Sequence, residues 1–297
     1  MAADDILAVP AENAPTMSGL RIRTMTRDEL ELGIGWAAAE GWNPGLHDAD
    51  RFHAADPDGF FVGLLDDQPI GMISAVKYGR GFGFVGLYLV RPEYRGRGHG
   101  LALWQAAMRR LAGRLVGLDG VVAQQPNYRR SGFVLAYNNV RCEGVPRRCT
   151  EPDPDIVPVE QRPWSEVLRY DADFFPDERS SFLRRWVGQS DGCALGVMRA
   201  GRLAGYGVIR PCRVGCKLGP LCADDAGLAD RLLRALAARA PEAARLQLDT
   251  PAVNAGAVAL AAAHGMAPVF ETARMYNGAA PALALDRLYG VTSFELG

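Results

Sequence analysis

The 297-residue chain is nearly without lysine: Lys77 and Lys217 are the only two, and arginine supplies the other basic groups. Thirty-three basic side chains against thirty-four acidic ones leave a net charge of −1. No broad positive field exists to hold a phosphate backbone, so nucleic acid is not expected as a partner. No Cys-x-x-Cys pair occurs among Cys142, Cys149, Cys193, Cys212, Cys216 and Cys222, which reads as buried free thiols. His47, His53, His99 and His264 never fall at ligand spacing, so no metal is expected. Long apolar runs are also missing. The uncharged stretch 251–270 is broken by Pro251, Asn254, His264, Gly265 and Pro268, and reads as a helix followed by a strand rather than a membrane span. Residues 1–18 carry Asp4, Asp5 and Glu12 with no basic cluster before an apolar stretch, which predicts a flexible tail on a cytoplasmic protein.

What is present is a globular composition, 48% hydrophobic and 23% charged, at a length that favours two domains. Residues 143–158 hold four prolines among many charges and read as a linker. The expected organisation is a domain over 19–145, a linker over 146–155 and a domain over 156–297. Adding 133 carries Asp58-Gly59 onto Asp191-Gly192, Gly63 onto Gly196, Gly86 onto Gly219, Gly132 onto Gly265 and Arg141 onto Arg274. Shared glycines at one offset point to one fold used twice. In the first half, helices over 27–40 and 48–55 precede strand-like runs at 60–65, 70–78 and 82–90. An amphipathic helix over 98–113 and strands at 121–124 and 133–142 follow. The second half repeats this order. The fold class is α/β: two tandem domains, each a mixed, mostly antiparallel twisted sheet flanked by helices.

The segment Arg95-Gly96-Arg97-Gly98-His99-Gly100 leaves a strand and opens a helix. Glycines there let successive amides point into one concavity, and the helix N-terminus adds free donors, a site suited to pyrophosphate. A Walker loop would need Gly-Lys-Ser/Thr, which is absent, and the acidic residue of a dinucleotide fingerprint has no matching βαβ unit. The segment closely resembles the Arg/Gln-x-x-Gly-x-Gly/Ala loop of the GNAT superfamily of N-acetyltransferases, through Arg95, Gly98 and Gly100. The resemblance implies acetyl-coenzyme A, with pyrophosphate on the amides of 95–100 and the pantetheine arm on the backbone of Tyr88, Leu89 and Val90. Tyr128-Arg-Arg-Ser-Gly132-Phe133 resembles the family's Tyr-x-x-x-Gly-Phe segment, which implies that Tyr128 protonates the departing thiolate. A phenol held at sulfur can donate as charge develops. The family's asparagine two turns before this tyrosine is missing, so Asn127 or Gln125 becomes the candidate pantetheine contact.

Amine attack needs a base, and strand 82–90 offers no carboxylate. Glu40 is the first candidate. Trp36, Trp42 and Asp48 are candidates for an apolar, anionic wall around a cationic acceptor. The same stretch also fits plain structure, with Gly41 capping a helix, Trp42 in the core and Asp48 as an N-cap. In the second half the offset places Leu228, Arg231 and Leu233 opposite the loop and Ala261 opposite Tyr128, so that domain reads as degenerate. Residues 287–295 are expected to complete a sheet, that of the first domain being the candidate. The expected activity is transfer of acetyl to a primary amine of a small molecule or peptide by direct attack, with no covalent enzyme intermediate. A non-catalytic acyl-coenzyme A sensor and a different acyl donor are the alternatives, and oligomeric state is not legible.

Overall fold

The computed structural model describes residues 19–297; the tail expected over 1–18 lies outside them. Its contacts group into two compact units. One contains the described residues up to Ala136 together with Ala273–Ala280 and Leu296, the other Tyr137–Thr272 with Pro281–Glu295 and Gly297. These groups differ from the halves expected around residue 150 by one strand exchanged in each direction.

In the first unit, β1 (Leu20–Thr24), β2 (Phe60–Leu65), β3 (Gln68–Tyr78), β4 (Phe82–Val90) and β5 (Leu115–Val121) lie side by side in that order. All neighbours are antiparallel except β4 and β5, which are parallel. Helix α1 (Arg27–Ala39) begins with a reciprocal cap, Thr26 bonding the Glu29 amide and Glu29 returning to Thr26, which satisfies donors the first turn leaves open. It lies so close to the sheet that a Cβ at Gly33 would stand 2.2 Å from Met72 Sδ. Helix α2 (Asp48–Ala55) follows, and α3 (His99–Arg110) packs Leu103, Trp104 and Ala107 with Ile73, Val85, Val116 and Leu118. The short α4 (Gln125–Arg130) ends the layer.

One strand differs from the sequence reading. The strand predicted at 121–124 is β5 at Leu115–Val121, and Val122–Gln124 form a single 3-10 turn. Gly117 and Gly120 dilute the apolar pattern, yet the packing needs both: a Cβ at Gly117 would meet the Phe82 and Tyr276 rings at 3.0 Å, and one at Gly120 would stand 2.3 Å from Tyr128 Cε2.

The second unit repeats the plan. Strands β7 (Ile156–Pro158), β8 (Cys193–Arg199), β9 (Arg202–Pro211), β10 (Cys216–Ala223) and β11 (Leu246–Pro251) lie in that order, with only β10 and β11 parallel. Helices α5 (Trp164–Asp171), α6 (Ser180–Val187), α7 (Ala226–Ala237) and α8 (Ala255–Ala263) flank them.

Each unit is finished by a strand from the other half. Strand β6 (Val134–Gly144) comes from the first half, but its residues 139–144 pair antiparallel with β11 of the second unit. Strand β12 (Ala267–Tyr276) comes from the second half, and its last residues, from Ala273, adjoin β5 in the first unit. One ion pair marks each exchange. Arg141 grips Asp249 at 2.7 and 2.8 Å, and Arg274 grips Asp119 at 2.8 and 2.6 Å. The expectation that 287–295 complete the first sheet is corrected here. Leu288–Gly290 form β13, which pairs with β10 in the second unit, and of the tail Leu296 belongs to the first unit, where its carbonyl accepts from the Tyr78 hydroxyl. Among the described residues no helix is long and apolar enough to cross a membrane.

Candidate active site

The first unit opens where β4 and β5 part. Their parallel ladder runs from Phe82 opposite Leu115 to Val85 opposite Leu118 and stops, while β4 continues to Val90 and β5 to Val121. The cause lies in β4: between the Ser74–Gly86 and Met72–Leu89 pairs it carries one extra residue, Leu87 and Tyr88 facing Ile73 alone, and Leu87 takes φ 45°, a left-handed conformation rare for a branched side chain. Leu89 and Val90 therefore stay registered with Met72 and Gly71 of β3, with Tyr88 in the bulge before them, while the ladder to β5 has already ended.

Beyond Val90 the chain makes one 3-10 turn over Pro92–Tyr94 and enters the glycine loop. Gly96 and Gly98 both adopt positive φ, 72° and 81°, the alternation that gathers amides into an anion-binding concavity. Gly98 caps α3 and supplies no side-chain bond to it, so the first-turn amides remain available to a ligand. Arg97 is exposed. His99 is buried with its ring edge-on to Tyr94; burial, then Arg97, hold its pKa below the usual range, so it is neutral and adds no charge to the loop. Arg95 folds back, its Nε donating to the Val90 carbonyl at 2.7 Å and its other end pairing with Glu40 at 2.6 Å. The predicted loop arginine and the predicted base thus sit on one another.

Tyr128 lies on α4, 8% exposed, its ring in the space Gly120 leaves open. Trp104 of α3 packs against it with ring centroids 5.6 Å apart and against Tyr88 of β4 at 5.9 Å, both pairs tilted by 41°. Three rings therefore line the end of the opening. Burial pushes the Tyr128 hydroxyl up to about 12, and burial with the nearby Tyr128 raises Tyr88 further. Both are neutral phenols at physiological pH. Gly120 and Trp104 escaped the sequence reading, although a glycine inside a strand is a signal of close approach.

The remaining candidates divide. Trp36 and Trp42 are half-buried near the end of α1. Asp48 is 1% exposed and accepts from the Gly45 amide at 2.7 Å, which ties its carboxylate to the turn. Asn127 has its amide engaged at both ends, by Gln124 at 2.5 Å and by Arg130. Among the described residues no three His, Cys, Asp or Glu side chains gather as metal ligands do.

The second unit lacks this machinery for a reason the residue offset did not reveal. The connection Arg91–Gly98 shrinks to Asp224 and Asp225 alone. Leu228, Arg231 and Leu233 lie inside α7, not opposite a loop. Asp225 caps α7 with its own carboxylate on the Leu228 amide at 3.0 Å, occupying donors that Gly98 leaves open. The parting of β10 and β11 after Leu218 and Leu248 is filled by β13. Val291 donates to the Asp249 carbonyl at 2.9 Å, and Asn254 holds the Leu288 carbonyl at 2.9 Å.

The model of the acetyltransferase (GNAT) family matches residues 23–133, and that of an acetyltransferase (GNAT) domain matches 167–290. A holothin acyltransferase from Pseudoalteromonas sp. (strain SANK 73390) is 30% identical over 270 residues, 91% of this chain and 92% of the relative. Among solved structures, a putative acetyltransferase from Pyrococcus horikoshii aligns over 97% of this chain and 99% of its own at TM-score 0.81 and 23% identity. A tandem GNAT protein from the clavulanic acid biosynthesis pathway aligns over 88% and 99% at TM-score 0.58 and 17% identity. The fold and site define an acyltransferase. The chain belongs to the GNAT family, in its tandem form, with a degenerate second domain.

Proposed function

We propose that the first unit transfers an acetyl group from acetyl-coenzyme A to a primary amine of a small molecule. The observation that carries this is the parted β4 and β5, bordered by an uncapped helix N-terminus on one side and by a buried, protonated tyrosine on the other. Residues 95–100 fit a pyrophosphate through their amides and Arg97, and the backbone of Tyr88, Leu89 and Val90, beyond the last β4–β5 pair, fits the amide groups of a pantetheine arm once Arg95 leaves the Val90 carbonyl. The bound thioester supplies the activated acyl group. Tyr128 gives its phenolic proton to the sulfur as the carbon–sulfur bond breaks, and regains one from solvent. Glu40, released when Arg95 turns toward phosphate, takes the proton that the attacking amine sheds. Trp36 and Trp42 bound the acceptor. A small-molecule acceptor is favoured by the relative named for acylating holothin, which matches along most of this chain.

Release of free thiol from acetyl-coenzyme A, followed over a panel of small primary amines, tests the proposal. Amine-dependent release with stoichiometric acetylated product supports it. Coenzyme binding without release for any amine would instead favour a sensor. Faster turnover with a longer acyl donor would move the assignment to another acyl group.

A further inference from the structure

The second unit holds a cavity of about 300 Å³ that the acyl-transfer proposal does not use. It lies between α5, the β8–β9 turn, the end of β10 and the residue before β13. Its lining carries four arginines and three carboxylates, and the partners of these groups decide what remains. Glu166 is occupied: one oxygen accepts from Arg162, the other from the Leu203 amide at 3.0 Å. Arg199 is paired with Asp225. Arg287 bridges Asp173 and Asp224, each at 2.8 Å, with its guanidinium 5.2 Å from the centres of the Tyr170 and Phe174 rings. Tyr170, buried at the floor, donates to Asp224 at 2.9 Å. Among the described residues, the exposed side chains of Arg169 and Arg202 make no hydrogen bond or ion pair, although the charge of Arg169 is felt at Glu166. The paired part of the wall is thus held in place, with Arg287 shared between two carboxylates, and the guanidiniums of Arg169 and Arg202 add two positive charges at the opening.

We propose that this cavity binds a compact anion, a phosphate or carboxylate group of a small metabolite, clamped by Arg169 and Arg202. Guanidinium forks match both groups in two-point contacts. The volume stands at the low end for small-molecule sites, roughly 300–1,000 Å³, which excludes a second coenzyme A. The carboxylates of Asp173 and Asp224 on the facing wall repel a polyanion and restrict the ligand to one anionic group. The site stands whether or not the first unit transfers acetyl groups.

Calorimetric titration of the full chain with inorganic phosphate, and separately with acetate, at constant ionic strength tests this. The expected result is saturable binding of at least one probe, weakened about tenfold or more in Arg169→Gln/Arg202→Gln and kept in Arg97→Gln, with the unliganded melting temperature of both variants unchanged. The stronger probe identifies the anion type. No saturable binding of either probe, binding unchanged in the double variant, or binding lost only in Arg97→Gln would each overturn it, the last by placing the anion on the glycine loop.

Discussion

At the scale of single residues the account turns on Tyr128. Burial lifts its pKa to about 12, so the acid form persists throughout the range in which an amine is deprotonated. Tyr128→Phe is expected to lower kcat by about 10²-fold or more, with acetyl-coenzyme A affinity nearly unchanged; steady-state kinetics beside calorimetry check this. Gly120 makes a sharper test because it touches no substrate. Gly120→Ala puts a methyl into the Tyr128 ring, so kcat is expected to fall while donor affinity holds, and a normal rate would show that ring placement is irrelevant. The same burial has a stability consequence. An unfolded tyrosine ionises near pH ~10, whereas folded Tyr128 waits until about 12. Its contribution is therefore whole below pH 10 and is lost as pH rises from 10 to 12. Alkaline unfolding of Tyr128→Phe is expected to be shallower over that window.

At the scale of elements, the glycine loop and the tyrosine segment were legible because both are local: residue type and spacing within ten positions carry the backbone demand. Strand β5 was less so. Its glycines serve Phe82, Tyr276 and Tyr128, partners distant in sequence, so the local pattern looked too weak for a strand. The meeting of Glu40 with Arg95, 55 residues apart, was invisible for the same reason. In the second domain the fixed offset placed helix residues opposite the loop, because a deletion between β10 and α7 shifts the register. Two features close that domain to a donor, the missing loop and β13. They are separable. Asn254 caps α8 and holds β13 through the Asp286 and Leu288 carbonyls. Asn254→Ala is expected to cost about 2 kcal/mol by denaturant unfolding without creating a second coenzyme site, since loosening β13 does not restore the loop.

At the scale of the molecule, the duplicated plan was legible from recurring glycines, but the strand exchange was not. Arg141 and Arg274 sit at the shared offset and meet equivalent aspartates, so the sequence carried the repeat while saying nothing about which half each strand joins. Both pairs are buried, and removing the arginine takes the two-point partner away from a buried carboxylate. Arg274→Ala and Arg141→Ala are each expected to destabilise by about 3–5 kcal/mol, measured by chemical denaturation. A chain ending at residue 150 lacks the strand that adjoins β5 and the Arg274 partner of the buried Asp119, so it is expected not to fold into a soluble first domain. The exchange also gives the second half a structural part: it supplies a strand without which the sheet of the first unit is unfinished.

The central claim is a single donor site, in the first unit, and the most direct measurement is calorimetric titration of the full chain with acetyl-coenzyme A, repeated on Gly98→Glu. The account predicts one equivalent bound per chain and none in the variant, because a side chain at φ 81° strains the loop and its carboxylate enters the anion concavity. Two equivalents, or binding that survives Gly98→Glu in a folded protein, would contradict it.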